Sequence, residues 1–227
     1  MARASVVTRQ RATLRSESVD GRNGAESRIT RDWAALNDAI RDCERCRPEL
    51  NIEGQTQSAP GYGNKSSPVA LVGQSLCGPC MEPQEPFYGG CERFITAALE
   101  VHGRSKGDLF VTNIVHCHPP NNRASRTSEI ENCRKYLHRE LDLVAPRLVI
   151  GLGRDERAHR VLRERYPDAK PLEWWPAGPP LSPEGSDTAL MFFPHPSWVK
   201  FQPEPVRSEW VTDLAAAIDW GFAVGAR

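Results

Sequence analysis

The sequence predicts an α/β fold built on a mainly parallel sheet of four strands flanked by helices. Two observations predict this class. Short apolar runs alternate with segments whose apolar residues recur every three or four positions. Glycines and polar residues follow directly after several of the apolar runs. The 227 residues are sufficient for one well-buried domain, which we expect to cover 30–227.

The first predicted element is a helix that begins near Thr30, a suitable N-cap residue, and carries Trp33 and Ile40 on one face. A loop is predicted over 51–68. Four apolar runs predict the strands, at 69–72, 109–115, 148–150 and 189–193. Further helices are predicted over 93–101, from Ser128 to Pro146 with a capping box of Ser128 and Glu131, through Ala158 and Leu162, and from about Pro205.

The composition predicts a soluble protein with no global preference for polyanions. The 29 basic and 29 acidic residues cancel, although a local basic groove remains compatible with this balance. No apolar run approaches the roughly 20 residues that span a bilayer, and the N-terminus lacks the apolar core of a secretory signal. Residues 1–29 are predicted to be a disordered basic arm, since acidic residues interrupt what could otherwise be a transit peptide. We expect a cytoplasmic, nucleoid-associated monomer.

Seven cysteines in a chain without an export signal indicate metal or redox chemistry more than disulfides. Cys43 and Cys46 form a C-x-x-C pair at the end of the first helix. Cys117 directly follows a strand, and Cys133 lies in the next helix. Four thiolates converging from two distant segments suit an iron–sulfur cubane, and they also suit a structural zinc ion.

The Cys77-Gly-Pro-Cys80 segment offers two alternatives. Its sequence resembles the active site of thioredoxins, but the prolines that follow prevent a continuous helix after Cys80. Cys77 and Cys80 could instead form a zinc site with Cys43 and Cys46. The long intervening segment, which includes a strand, makes this assignment less natural than the first one.

Ligands of parallel α/β sheets bind beyond the carboxyl ends of the strands, and the unusual residues of this chain fall there. Val111-Thr-Asn-Ile-Val-His-Cys-His-Pro-Pro-Asn-Asn-Arg123 is the most specific stretch, followed by Glu129 and Cys133. The segment from Gly73 ends in Pro86-Phe-Tyr-Gly89, and a final segment reads His195-Pro-Ser197. Together these motifs resemble the uracil-DNA glycosylase superfamily, most closely its iron–sulfur families 4 and 5, from about Cys43 to Trp220.

The resemblance implies a DNA glycosylase whose [4Fe–4S] cluster has a structural role and is bound by Cys43, Cys46, Cys117 and Cys133. Its partner would be DNA that contains uracil or other deaminated bases. Phe87 becomes the aromatic platform under the extruded base, Asn113 the amide that reads the base edge, and His195 the catalytic histidine. These roles suit the chemistry, because an extruded base needs a stacking face and its departing anion needs a hydrogen-bond donor.

The sequence departs from family 4 after the first-motif glycine, Gly73. Gln74 stands where that family usually has a glutamate, and an amide can orient water but cannot accept its proton. We expect a largely dissociative mechanism in which Gln74 or Ser75 orients water and Gly73 and Gln74 border the base. Glu82 and Glu85 are possible substitutes for the missing carboxylate.

The same resemblance, together with residue chemistry, gives a set of candidate DNA contacts: Arg123, Gly151, Gly153, Ser197, Trp198 and Lys200. Trp198, Val199 and Phe201 are candidates for a wedge that fills the gap left by the base. The K-R-R-I-H segment with which some relatives trap DNA covalently is absent. The alternatives to a glycosylase are a non-catalytic DNA-binding module of the same fold and a thiol oxidoreductase that uses Cys77 and Cys80.

Overall fold

The computed structural model describes residues 26–169, 171–173 and 187–225. Its centre is a six-stranded sheet in the order β1-β3-β2-β4-β6-β5. The strands are β1 (Tyr62–Gly63), β2 (Val69–Ser75), β3 (Phe110–Val115), β4 (Leu148–Leu152), β5 (Leu172–Glu173) and β6 (Ala189–Phe193). All neighbouring strands are parallel except β1, which pairs with β3 in the antiparallel direction.

The mainly parallel α/β fold is confirmed, and the four long strands are the four that the sequence predicts. The predicted strand count of four is too low, because β1 and β5 add an edge strand on each side. Each of these edge strands has only two residues. Such short segments show no alternation of apolar and polar residues, so the sequence carries no periodic signal for them.

Helices cover both faces of the sheet. They are α1 (26–41), α2 (Glu92–Glu100), α3 (Thr127–Val144), α4 (Glu156–Arg165), α5 (Pro196–Val199) and α6 (Glu204–Gly225). Short 3-10 helices lie at Gly78–Cys80, Lys106–Asp108 and Pro120–Asn122. None of the described helices combines the length and apolar character that crossing a membrane requires.

Two helix starts differ from the prediction. Thr30 lies inside α1, where its hydroxyl donates to the carbonyl of Glu26 at 2.9 Å, so residues 26–29 belong to the helix and not to the predicted arm. Residues 1–25 of that arm lie outside the described residues. The capping acid of α3 is Glu129, which accepts the backbone N–H of Arg126 at 2.7 Å, and not Glu131. A glutamate follows three positions after Arg126 and also three positions after Ser128, so the spacing alone does not identify the capping pair.

Side chains of β2 alternate between the two faces of the sheet, which sorts the site residues. Ala70 and Val72 belong to the core beside α1, α3 and α4. Val69 and Leu71 belong to the core beside α2 and α6. Because successive strand residues face opposite sides, positions 73 and 75 lie on the α2 and α6 face, and position 74 lies on the α3 and α4 face.

Candidate active site

Three of the predicted site residues meet at the carboxyl ends of β2 and β3. Gly73 and Asn113 are register partners in the two parallel strands. A Cβ atom added at Gly73 would lie 2.4 Å from Oδ1 of Asn113 and 2.7 Å from Cζ of Phe87. Real Cβ atoms do not approach other atoms so closely, so a side chain at position 73 would displace the Asn113 amide or the Phe87 ring. The ring of Phe87 and the amide of Asn113 are thereby held against one backbone position.

The Asn113 amide is nearly buried and has no protein partner. The residue is 4% exposed, and no hydrogen bond joins its side chain to any described residue. Neither polar atom of this amide is among the fully buried side-chain atoms without a partner in the described part of the chain, so both keep access to solvent, which a ligand could replace. An amide offers both a donor and an acceptor. This one is therefore arranged to bind a ligand with a complementary donor–acceptor edge.

The backbone at Phe87 adopts the left-handed region, with φ at 59°. This conformation costs a residue with a side chain about 1–2 kcal/mol. The ring itself is 5% exposed, and its centroid lies 6.0 Å from that of His195, with the two planes 32° apart. The unusual backbone places an aromatic face between Gly73 and His195, where a planar ligand could stack.

His195 precedes the short helix α5, and its protonation is set by Ser197. Nδ1 of the imidazole accepts the backbone N–H of Ser197 at 3.1 Å, and the Ser197 hydroxyl lies 2.7 Å from the same nitrogen. Because Nδ1 acts as an acceptor, a neutral ring carries its proton on Nε2. Desolvation lowers the pKa of His195 to about 4, so the ring is neutral at pH 7. Nε2–H is a donor without a partner among the described residues.

Gln74 and Ser75 do not share one environment, although the sequence analysis treated them as equivalent. Gln74 lies on the α3 and α4 face, and its Nε2 donates to Oδ2 of Asp155 at 2.8 Å. Asp155 caps α4 and also accepts three hydrogen bonds from Arg157. Strand alternation returns Ser75 to the face of Gly73. Of the two residues, the structure brings only Ser75 to the side of the sheet on which Phe87 lies.

The two glutamates considered as substitutes for the missing carboxylate are placed differently. Glu82 is exposed, and Glu85 forms an ion pair with Lys106, with an Nζ to Oε1 distance of 2.6 Å. The carboxylate nearest to Gln74 is instead that of Asp155. The sequence did carry a signal for Asp155, since it is an N-cap residue type just after a strand and before a helix. That signal predicts a cap and nothing about Gln74.

Three of the predicted DNA-contacting residues are already bound or packed within the protein. Arg123 donates to both carboxylate oxygens of Glu129 and to Glu49 at 3.3 Å, so its guanidinium is engaged within the protein. Gly151 is buried in β4, where a Cβ would meet the ring of Phe192. The N–H of Gly153 already donates to the carbonyl of Phe193. DNA contacts by these three residues stay predictions, and none has an unengaged side chain or amide that supports them.

The segment after His195 remains open to a partner. Ser197 and Lys200 are exposed. Of the three wedge candidates, Val199 is fully buried and Trp198 is half-buried beneath the guanidinium of Arg154 at 4.8 Å. Phe201 is 78% exposed. Since a wedge must project from the surface, Phe201 is the one of the three that is placed to act as one.

The four predicted cluster cysteines lie in one region. Cys117 and Cys133 are buried in the core beside α1, and Cys43 and Cys46 pack against the same core. Burial raises the pKa of the Cys117 thiol well above its usual range, and the thiols of Cys133, Cys43 and Cys46 raise it further. No group of three or more His, Cys, Asp or Glu side chains in the part of the chain described is arranged to hold a metal ion.

A buried polar network ties this cysteine region to the sheet. The Glu140 carboxylate, with no exposed surface, accepts hydrogen bonds from the N–H of Gly61 at 2.7 Å and the hydroxyl of Thr112 at 2.6 Å, and lies 3.1 Å from Nε2 of His116. Burial alone would lower the pKa of His116, but Glu140 and the Cys133 thiol raise it to about 10. The other ring nitrogen, Nδ1, is buried and has no hydrogen-bond partner among the described residues.

Cys77 and Cys80 form a disulfide with each other. This pairing contradicts the alternative in which they join Cys43 and Cys46 in a zinc site, and it departs from the expectation that the cysteines avoid disulfides. The 3-10 helix at Gly78–Cys80 has only three residues, because prolines follow it. It lacks the long helix that lowers a thiol pKa in thioredoxin-like sites. Both sulfurs lie within about 3.6 Å of the Tyr88 carbonyl, next to Phe87.

Comparison with known proteins identifies the class to which this fold and site belong. Residues 60–217 match the sequence model of the uracil DNA glycosylase superfamily. Since this match covers more than half of the chain, the protein belongs to that superfamily, as the resemblance implied.

Individual relatives narrow the similarity to two types within the superfamily. The chain is 34% identical over 122 residues to a type-4 uracil-DNA glycosylase of Pyrobaculum aerophilum, which covers 54% of this chain and 61% of the relative. It is 32% identical over 120 residues to the type-4 enzyme of Archaeoglobus fulgidus, covering 53% and 60%. A type-5 uracil-DNA glycosylase of Pyrobaculum aerophilum matches at 42% identity over 45 residues, 20% of each chain. The chain thus spans about three fifths of the length of the type-4 relatives.

Proposed function

We propose that the protein is a DNA glycosylase that hydrolyses the N-glycosidic bond of uracil in DNA and so initiates base excision repair. The Asn113 amide carries this proposal, because it is almost buried, lacks a protein partner and lies beside an aromatic ring. Its donor and acceptor complement the edge of uracil. Cytosine presents the corresponding donor and acceptor exchanged, so the amide would pair with it only after a rotation of about 180°.

The proposed reaction begins with extrusion of the base, because a glycosylase cannot reach the bond inside a stacked duplex. The extruded base would stack on Phe87, a contact that contributes about 1–3 kcal/mol. Exposed Phe201 would fill the gap that the base leaves in the stack, and Lys200 would lie close enough along the chain to contact a phosphate. Arg123 would orient the loop before α3 through Glu129 and leave the DNA contacts to the segment after His195.

Cleavage of the N-glycosidic bond places negative charge on the departing base and positive charge on the sugar. The Nε2–H of His195 is a neutral donor that would stabilise the base anion. Its orientation is fixed in advance by Ser197, so no reorganisation is needed as the charge develops. Water would then attack the sugar. Ser75, on the face of Phe87, is better placed than Gln74 to orient that water, and no carboxylate needs to act as a base if the bond breaks first.

We further propose that Cys43, Cys46, Cys117 and Cys133 bind a [4Fe–4S] cluster. Burial is the largest cause of the raised pKa of Cys117, and the neighbouring thiols raise it further, so bound iron would compensate both the desolvation and the mutual repulsion of four thiolates. A cubane binds each cysteine through a different iron, so its four ligands need not meet at one point. Its contribution would be a structural crosslink between the segment after α1, the loop that follows β3 and α3 itself, and the chemistry would belong to the pocket.

The test uses single-stranded and duplex oligonucleotides that contain one uracil or one hypoxanthine, followed by alkaline cleavage of abasic sites. We expect strand cleavage with uracil and none with cytosine or thymine at that position. Asn113→Ala should abolish it, while Asn64→Ala, which removes an exposed amide distant from the pocket, should not. Cleavage confined to hypoxanthine would assign a deaminated purine as the substrate. Binding without cleavage would instead indicate a non-catalytic DNA-binding module.

A further inference from the structure

Lys106 is a buried cation that the proposed reaction leaves without a role. It begins the 3-10 helix Lys106–Asp108 before β3 and is 8% exposed. Its Nζ lies 2.6 Å from Oε1 of Glu85 and 3.3 Å from the carbonyl oxygen of Pro86, and it also donates to Oε1 of Glu92. All three acceptors belong to residues 85–92, the loop that leads into α2 and the first residue of that helix; we call this segment the platform loop because it carries Phe87.

Glu92 extends this contact to the other side of Phe87. Its Oε2 accepts the backbone N–H of Gly89 at 3.0 Å, and its own N–H donates to the Gly89 carbonyl at 2.8 Å. Lys106 therefore holds the backbone at Pro86 directly and the backbone at Gly89 through Glu92. The peptide unit that precedes Phe87 and the peptide unit between Tyr88 and Gly89 are thus held from the same ammonium group.

The Phe87 backbone needs such support. Its φ of 59° is a conformation that residues with side chains rarely adopt, and it persists only where the surroundings over-determine it. This turn presses the ring against Gly73 and brings it within 6.0 Å of the His195 ring. If the platform loop relaxed to an ordinary φ, the ring would leave that position.

The charge of Lys106 favours a role in fixing the conformation of the platform loop over a role in stabilising the fold. Buried ion pairs contribute little net stability compared with apolar side chains of similar size, because both charges lose their hydration. An ammonium group offers three donors, and three oxygens of one loop converge on it here. An apolar side chain of equal length could fill the same volume but would not fix those oxygens.

We infer that Lys106 is a positioning residue, which holds the platform loop in the conformation that places the Phe87 ring under the extruded base. This inference rests on the proposed glycosylase function. It predicts a loss in the rate of base release that acts through Phe87 and is separable from any loss of folding stability.

The primary test is a double-variant cycle in single-turnover uracil excision, measured well below the unfolding temperature. Lys106→Met should slow excision about 10- to 100-fold, the range expected when a reacting group is displaced by about 1 Å, with DNA affinity close to that of the wild type. In a Phe87→Ala background the same substitution should change the rate less than about threefold. Equal slowing in both backgrounds would overturn the inference. Lys65→Met, at an exposed lysine, serves as the matched control.

A second variant separates positioning from stability. Lys106→Met leaves two carboxylates without their partner, so Lys106→Met/Glu85→Gln/Glu92→Gln should recover thermal stability. The excision rate of this triple variant should stay low. Recovery of the excision rate together with the stability would show that the contacts of Lys106 with the platform loop are dispensable, and the inference would be wrong.

A measurement that does not depend on catalysis tests this inference separately from the proposed function. Hydrogen exchange of the backbone amides of residues 87–90 should become faster in Lys106→Met and stay unchanged in Lys65→Met. Unchanged exchange in both variants overturns the positioning role even if the wild type excises uracil. If exchange is faster in Lys106→Met and the wild-type protein excises no base, the positioning role of Lys106 is retained and the proposed function is rejected.

Discussion

The candidate active site around Phe87, Asn113 and His195, which we call the pocket, differs from the cysteine region in how its polar groups are paired. In the cysteine region the Glu140 carboxylate is surrounded by Gly61, Thr112 and His116, and among the described residues only Nδ1 of His116 is left there without a partner. In the pocket the Asn113 amide and Nε2 of His195 have no partner among the described residues. Polar groups that pair with one another hold a structure together, and those left unpaired at the end of a sheet are available to a ligand. The comparison assigns support to one region and chemistry to the other.

This division predicts that substitutions in the cysteine region change stability, and that substitutions in the pocket change rate. The largest expected effect is on the cysteine side. With the proposed cluster bound, the purified protein should be brown, and Cys133→Ala should remove this colour and yield little folded material, because the cluster would no longer join α3 to the segment after α1. Visible absorption and the circular dichroism signal measure both effects. A colourless wild-type protein that contains stoichiometric zinc would refute the cluster.

On the pocket side, His195→Ala should lower single-turnover excision by about 100- to 1000-fold, the loss typical of one donor to a developing anion. The unfolding temperature should change little, because the ring is only half-buried. Ser197→Ala is the informative companion variant. It removes the hydroxyl but keeps the backbone N–H that fixes the ring, so its effect should be much smaller.

The lowered pKa of His195 also predicts the pH dependence. With a pKa of about 4, compared with about 6.5 for an unperturbed histidine, the ring stays neutral through the neutral range. The excision rate should show no inflection near pH 6.5. Since the unfolded chain binds this proton at higher pH than the folded one, this residue's contribution to stability should decline as pH falls from about 6.5 toward 4. A clear rate inflection at the ordinary histidine pKa would contradict the neutral ring.

A smaller effect distinguishes two adjacent residues on opposite faces of β2. Ser75→Ala should slow excision about tenfold if the hydroxyl orients water, whereas Gln74→Ala should leave the rate within about twofold. Gln74→Ala should instead loosen the start of α4, because Asp155 loses a hydrogen bond worth about 1 kcal/mol. Single-turnover rates and thermal unfolding of both variants provide the measurement. The opposite result would place the water on the α3 and α4 face.

The smallest expected effect concerns Phe201. Phe201→Ala should leave stability and excision from single strands unchanged and slow excision from duplex DNA several-fold, because only a duplex leaves a gap to fill. Trp198→Ala should differ by lowering stability, since this ring packs against its neighbours and under Arg154. Equal losses on both kinds of DNA would assign Phe201 to general binding.

Much of the fold could be read from the sequence because it follows from periodicity. The four long strands and the helices between them carry apolar patterns that survive in any tertiary context. The motifs at the strand ends located Gly73, Asn113 and His195, since parallel strands bring their carboxyl ends to one edge. Glu129 as the capping acid of α3 was not predictable, because Glu131 offers the same spacing from another residue. The edge strands β1 and β5 were not predictable, because two residues are too short for a periodic pattern.

The sequence by itself determined which residue types follow the carboxyl ends of the parallel strands. It also predicted that four cysteines from two segments approach one another. Only the tertiary structure decided that Gln74 faces Asp155 while Ser75 faces the pocket, that Arg123 is engaged by Glu129, and that Lys106 holds the platform loop. These are contacts between segments as far as 81 residues apart. Local patterns specify the face and the end of an element, whereas the partner of a buried polar group depends on which distant element packs against it.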